Sequence, residues 1–349
     1  MERLVGYLPE LRACSRTSHA LRDEAQRVLF RVVLSATDQR RRAARFFNVI
    51  VNSPDRLALY VRVVRLNMTY KLDENLVGLG NAAFRCMINL KHLTVSSMKD
   101  STLGCARILR GMTFKLKGLD LQYRGLEKAL LHNFLPAQSQ IKYIRLRDWD
   151  PEGAGAASIG LQDILPELEC LDGPDVALQA LLSGHRQIRA VVWDRSSGVY
   201  HHELPAFHSA QYQEGLGRIE YLSYRMFRVS NITNISPLLV SLRVLELCGY
   251  EITDLQVLED LPRIEHLILS ADSAWKGRYS SPTLSVQLCK HAFKLSKTLE
   301  CLDIREMDTV LYMQLRREDF DDVSCIQQVE PEDVRLWSSV TQDDTLDAN

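Results

Sequence analysis

A short motif of aliphatic, two residues, aliphatic, one residue, apolar recurs along this 349-residue chain and limits its fold more than any other feature. Full instances are Val61-Val64-Leu66, Leu90-Leu93-Val95, Leu116-Leu119-Leu121, Ile141-Ile144-Leu146, Ile188-Val191-Trp193, Ile219-Leu222-Tyr224, Leu242-Leu245-Leu247, Ile264-Leu267-Leu269 and Leu299-Leu302-Ile304. Leu168-Leu171 is a tenth, with Gly173 at the third apolar place. From Val61 to Leu299 the mean interval is about 26 residues, inside the roughly 20 to 29 residue range of short strand-plus-helix repeats. One such match would carry nothing, whereas ten in phase define an architecture.

The spacing has a physical reading. The last two apolar residues lie two apart, so they share one side of a short strand and enter a core, while the residues between and beside them face the other way. Apolar periodicity over Leu76 to Met87, Leu103 to Met112 and Leu126 to Phe134 predicts helical segments that return the chain and cover the inner side. A single unit exposes its core face. Stacking hides it, at roughly 1.5 to 3 kcal/mol per aliphatic side chain buried. The expected fold is therefore α/β, an irregular solenoid with its parallel strands forming a concave sheet.

Over about residues 58 to 310 the sequence resembles the leucine-rich-repeat family. It departs from the regular family form where an asparagine is expected eight residues after the first aliphatic: Thr69, Met98, Arg124, Trp149, Ser196 and Tyr250 stand there instead. The resemblance implies a horseshoe of about ten irregular repeats over 58–316, with the long loop from Ser196 to Gly217 bulging from it. Strand parity places Arg65, Thr94, Gln122, Tyr143, Arg145, Arg147, Asp194, Tyr221, Arg225, Glu246, His266 and Asp303 on one concave face. Arg65, Tyr143, Arg145, Arg147, Trp149, Tyr221, Arg225 and Glu246 are the expected partner-binding residues, because arginine and aromatic side chains dominate binding hot spots.

Residues 1–34 form a separate module, joined to the repeats by a helical connector over 35–57. Leu11, Cys14, Leu21, Ala25, Val28 and Leu29 fall at helical spacing on two short segments. A plain helical cap over the first repeat is one reading. The spelling also resembles the second half of an F-box: a leucine-led Leu8-Pro9-Glu10-Leu11 start with Ala13-Cys14-Ser15, a second helix, and a Leu29-Phe30-Arg31 exit into a strand. An F-box followed by irregular leucine-rich repeats is an arrangement common in fungi. It implies a substrate receptor of an SCF-type ubiquitin ligase, with a Skp-type adaptor and a cullin as partners and a protein substrate held on the repeats. Leu8, Pro9, Leu11, Leu21, Leu29 and Phe30 would then be adaptor-facing or supporting. The family's opening helix is represented only by Met1 to Leu8, so the chain is expected to start upstream of Met1 or to bind the adaptor weakly. The alternative is a stand-alone interaction scaffold.

Catalytic and cofactor patterns are sparse, and neither a cofactor nor enzymatic activity is expected. His201, His202, Glu203 and His208 cluster without the H-E-x-x-H spacing that puts two imidazoles on one helix face, so a solvated loop is expected rather than a metal. Gly215 and Gly217 lack the third glycine of a dinucleotide loop, and no G-x-S-x-G elbow or P-loop occurs. An enzyme would need a pocket converging around His201 to His208.

The formal net charge of −1 hides an asymmetry. From Glu318 onward there are ten acids and one base, Arg335, so the preceding chain carries a net charge of +8. The segment 317–349 is expected to lack compact structure, with Val334, Leu336 and Trp337 able to dock as a short helix. Arg40, Arg41, Arg42 and Arg45 read as one solvated helix face, and without interleaved aromatic residues they argue little for nucleic acid. Eight dispersed cysteines without C-x-x-C pairs, no signal-peptide run and no apolar stretch of about 18 residues imply reduced thiols and a cytoplasmic or nuclear site, with no membrane.

Overall fold

Every apolar position of the recurring motif is buried. Val61, Val64 and Leu66 in the first instance, and Leu299, Leu302 and Ile304 in the last, are at most 7% exposed, as are all those between. In the computed structural model, residues 10, 13–16, 18–34, 39–68, 73–97, 106–122, 130–147, 164–182, 186–194, 210–225, 232–248, 252–270, 282–305, 312–319 and 327–329 are described. The fold is α/β and divides into two units, Met1–Glu167 and Leu168–Asn349.

The first unit carries β1 (Val32–Val33), β2 (Val63–Met68), β3 (His92–Ser97), β4 (Gly118–Gln122) and β5 (Tyr143–Arg147), parallel and adjacent in chain order. The second carries β6 (Cys170–Gly173), β7 (Ala190–Asp194), β8 (Tyr221–Arg225), β9 (Val244–Cys248), β10 (His266–Ser270) and β11 (Cys301–Arg305). These six are again parallel neighbours in chain order, and β12 (Tyr312–Arg316) and β13 (Gln327–Val329) extend the edge antiparallel. The ten motif instances thus become β2 to β11. At the weak one, Gly173 stands in register beside Trp193, so the absent side chain neighbours the bulkiest in the core.

In the first unit the return segments are built around aromatic rings. Helix Arg40–Val51 buries Ala43, Phe46, Phe47 and Ile50, spaced three and four apart, and leaves Arg40, Arg41, Arg42 and Arg45 in solvent. It packs on helix Glu74–Cys86, which begins at Asp73, whose carboxylate accepts the Leu76 N–H at 2.8 Å and also pairs with Arg40. Gly80 permits that approach, because a Cβ there would meet the Phe47 ring at 3.3 Å. Phe47, Phe84, Phe114 and Phe134 follow one another with ring centroids 6.2 to 6.3 Å apart, an aromatic column with one ring per repeat. With no asparagine ladder, amide side chains tie the turns together at other places. Buried Gln138 donates to the Phe114 carbonyl at 3.2 Å and accepts the Leu116 N–H at 2.9 Å, and Asn89 donates to the Leu59 carbonyl at 3.0 Å.

The second unit returns through helices Asp175–Leu182, Ala210–Gly217 and Pro282–Leu295 and through 3-10 turns such as Ile252–Asp260. Ala210–Gly217 falls in the stretch expected to bulge as a loop; Tyr212 and Leu216 are buried and hold it to the core. Trp193 packs edge-on to Tyr224 at 5.5 Å, and its indole N–H finds the Asp175 carboxylate. Arg317 closes the last rung, donating to the carbonyls of Leu299 at 2.6 Å, Phe293 at 3.2 Å and Ser296, with its guanidinium over the Phe293 ring.

One segment expectation, that 317–349 lacks compact structure, is corrected. The sheet begins at Val32, in the expected exit into a strand, where the chain leaving helix His19–Arg31 pairs Val32 and Val33 with Val63 and Val64. It also continues past 317: uncharged Gln327 to Val329, between two acidic stretches, pair with β12. Val334, Leu336 and Trp337 lie outside the described residues. Among the described residues no helix is long and apolar enough to cross a membrane.

Candidate binding face

Strand parity assigns an outward side to each unit, and the two outward sides differ in kind. In the first unit the central outward row runs Arg65, Thr94, Asp120, Arg145, and the next row runs Asn67, Ser96, Gln122, Arg147. These residues are polar and half-buried or exposed. They link laterally: Gln122 donates to Asp120 at 2.8 Å, Ser96 donates to Gln122 at 3.1 Å, and Arg145 lies 3.6 Å from Asp120 with its guanidinium 5.6 Å from the Tyr143 ring centroid. Gly118 leaves room for the His92 ring, which would have to shift because a Cβ would stand 2.6 Å from it. Arg65, Thr94, Gln122, Tyr143, Arg145 and Arg147 therefore share one open face, as expected, whereas Trp149 lies outside the described residues.

In the second unit the central outward row is Asp172, Val192, Ser223, Glu246, Ile268 and Asp303, and every member is buried. Tyr221, Glu246 and Asp303, expected on an exposed face, are only 5%, 0% and 0% exposed. Parity is as expected and exposure is not. The cause is a second apolar cluster on this side of the strands, formed by Tyr221, Ile268 and Tyr312 with Ala190, Val244 and Val329 against it. Glu246 is accommodated by three hydroxyls: Ser223 donates at 2.6 Å, Tyr221 at 3.1 Å and Ser270 at 3.1 Å. Asp194, Arg225 and His266 at the margins are half-buried.

A row one residue before the strands separates the units further. Its carbonyls accept N–H groups from the start of the next rung, as when the Lys91 carbonyl takes Lys117 N at 2.7 Å and Gly118 N at 3.1 Å. In the first unit this row reads Arg31, Arg62, Lys91, Lys117, Lys142, five basic residues on successive rungs whose backbones are about 4.8 Å apart. Burial, then the neighbouring Arg27 and Arg62 cations, hold the Arg31 guanidinium below its ordinary pKa. In the second unit the row mixes signs: Glu169, Arg189, Glu220, Arg243, Glu265, Glu300. Arg243 meets Glu265 at 2.6 Å and Arg189 meets Glu220 at 3.9 Å, and the Glu265 hydrogen bond raises the Arg243 pKa. The cationic row went unread in the sequence, although its signal is plain: a base follows the first aliphatic in Val61-Arg62, Leu90-Lys91, Leu116-Lys117 and Ile141-Lys142.

In the N-terminal module, helix His19–Arg31 starts at Ser18, whose hydroxyl accepts the Leu21 N–H at 3.4 Å, and packs against helix Leu57–Tyr60. Ala25 is buried, Leu29 and Phe30 are half-buried, and Leu21 is 54% exposed. Leu8, Pro9 and Leu11 lie outside the described residues, as do His201, His202, Glu203 and His208. Six cysteines are described, all as free thiols, and burial pushes Cys289 and Cys301 up to about 12, which leaves them poor nucleophiles. Among the described residues the group of metal-ligating side chains is His266, Cys301 and Asp303. No protein-family model matches this chain, and no curated protein matches it.

Proposed function

We propose that this chain is a non-catalytic protein-binding receptor, a leucine-rich-repeat solenoid whose first unit captures an acidic segment of a partner. The observation that carries the reading is the row of five basic residues that directly precede the strands of the open face bearing Arg65, Tyr143, Arg145 and Arg147. Basic residues on five successive rungs give this edge a positive potential, and an anionic ligand gains steering in encounter with it. The row spans about 19 Å, which about six residues of extended peptide at roughly 3.3 Å each would cover.

The setting that fits best is the substrate receptor of an SCF-type ubiquitin ligase in the cytoplasm or nucleus. Its support is the resemblance of the N-terminal segment to an F-box and the exposed Leu21 on the helix leading into β1. An exposed leucine on an N-terminal helix suits a hydrophobic partner such as the Skp-type adaptor. Purified adaptor–cullin complex mixed with the full chain should form a stable assembly in size-exclusion chromatography, and Leu21→Glu should weaken it at least about tenfold, equivalent to about 1.4 kcal/mol. An assembly absent for both proteins would leave the stand-alone scaffold reading.

A further inference from the structure

We propose that His266, Cys301 and Asp303 form a binding site for a zinc-class divalent metal ion on the outward side of β10 and β11. The backbone brings them together. In the parallel register of these strands His266 stands beside Cys301, and Asp303 follows two residues along on the same side. Their donor atoms, one nitrogen, one sulfur and one oxygen, all lie within 4.8 Å of one another, and His266 Nε2 is 2.5 Å from Asp303 Oδ2. Metal bonds of about 2.0 to 2.3 Å in a tetrahedron set ligand atoms roughly 3.3 to 3.8 Å apart. Side-chain rotations of about an ångström reach that arrangement without moving either strand.

The surroundings suit a cation. Asp303 is wholly buried, and an ionised carboxylate in such a place requires compensation by a positive charge or by several donors. Gln314 donates to its other oxygen, Oδ1, at 3.1 Å, which fixes the carboxylate and leaves Oδ2 turned to His266, the kind of outer support that metal-binding carboxylates use. The His266 side chain is 22% exposed, which gives an entry path and leaves the fourth position to water. Imidazole, thiolate and carboxylate together select zinc or cobalt(II) over magnesium or calcium, which prefer oxygen ligands throughout. Binding replaces the Cys301 S–H bond by a sulfur–metal bond and releases that proton to solvent, with no change of oxidation state.

Cobalt(II) titrated into the reduced full chain tests the site. One equivalent should bring a thiolate-to-cobalt charge-transfer band together with the visible bands of a tetrahedral ion, and zinc should abolish both by displacement. Cys301→Ser should lose the charge-transfer band while its circular dichroism stays unchanged, and His266→Ala should weaken cobalt binding at least about tenfold. No charge-transfer band, or a band that persists in Cys301→Ser, would overturn the proposal and leave His266 and Asp303 as a simple hydrogen-bonded pair.

Discussion

The two units use the same inward spelling and opposite outward ones. Leu93 and Val95 in β3 and Leu267 and Leu269 in β10 fill equivalent core positions, yet between them the first pair holds Thr94 and the second holds Ile268. The first is half-buried in a polar row; the second is fully buried in an apolar cluster with Tyr221 and Tyr312. The flanking rows follow suit, five basic residues against a mixture of acids and bases. The inward motif fixes strand formation and stacking, and the intervening residues decide whether the other side becomes a binding surface or more core.

Substitutions at matched positions probe that difference. Ile268→Ala should cost about 2 to 5 kcal/mol of unfolding free energy in a denaturant titration, because it opens a cavity in the second cluster. Reversing the first unit's row with Lys91→Glu, Lys117→Glu and Lys142→Glu should leave the fold intact and reduce binding of a glutamate-rich peptide of about six to ten residues by at least about tenfold in calorimetry. That binding should weaken with added salt before the reversal and lose its salt dependence after it. Thr94→Ala, the counterpart of Ile268→Ala, should change stability by no more than about 0.5 kcal/mol. A loss at Thr94 as large as that at Ile268 would erase the distinction between the units.

Much of the fold was legible in the sequence because a period-two strand pattern is a local property: all ten motif instances became strands, with the expected side chains inward. The elements that escaped lack that pattern. β12 runs antiparallel to the repeats, and β13 is three residues paired with it. Exposure was less legible than direction. Parity turned Tyr221, Glu246 and Asp303 away from the main core, but their burial depends on Ile268 and Tyr312 in other rungs and on hydroxyls from Ser223 and Ser270, which no single repeat announces. Ligand-type residues cluster in sequence at His201 to His208, whereas His266 and Cys301 lie 35 positions apart and become neighbours only through strand pairing.

Native thiol labelling at two equivalent outward positions tests the central claim most directly. Arg65 in β2 and Ser223 in β8 both occupy the middle outward place of their strands, one exposed and the other 0% exposed. With the reactivity of the parent chain's own cysteines subtracted, Arg65→Cys should react with a soluble maleimide at close to the rate of an unfolded thiol. Ser223→Cys should stay protected until the protein is denatured. Equal labelling rates at the two positions under native conditions would contradict the account.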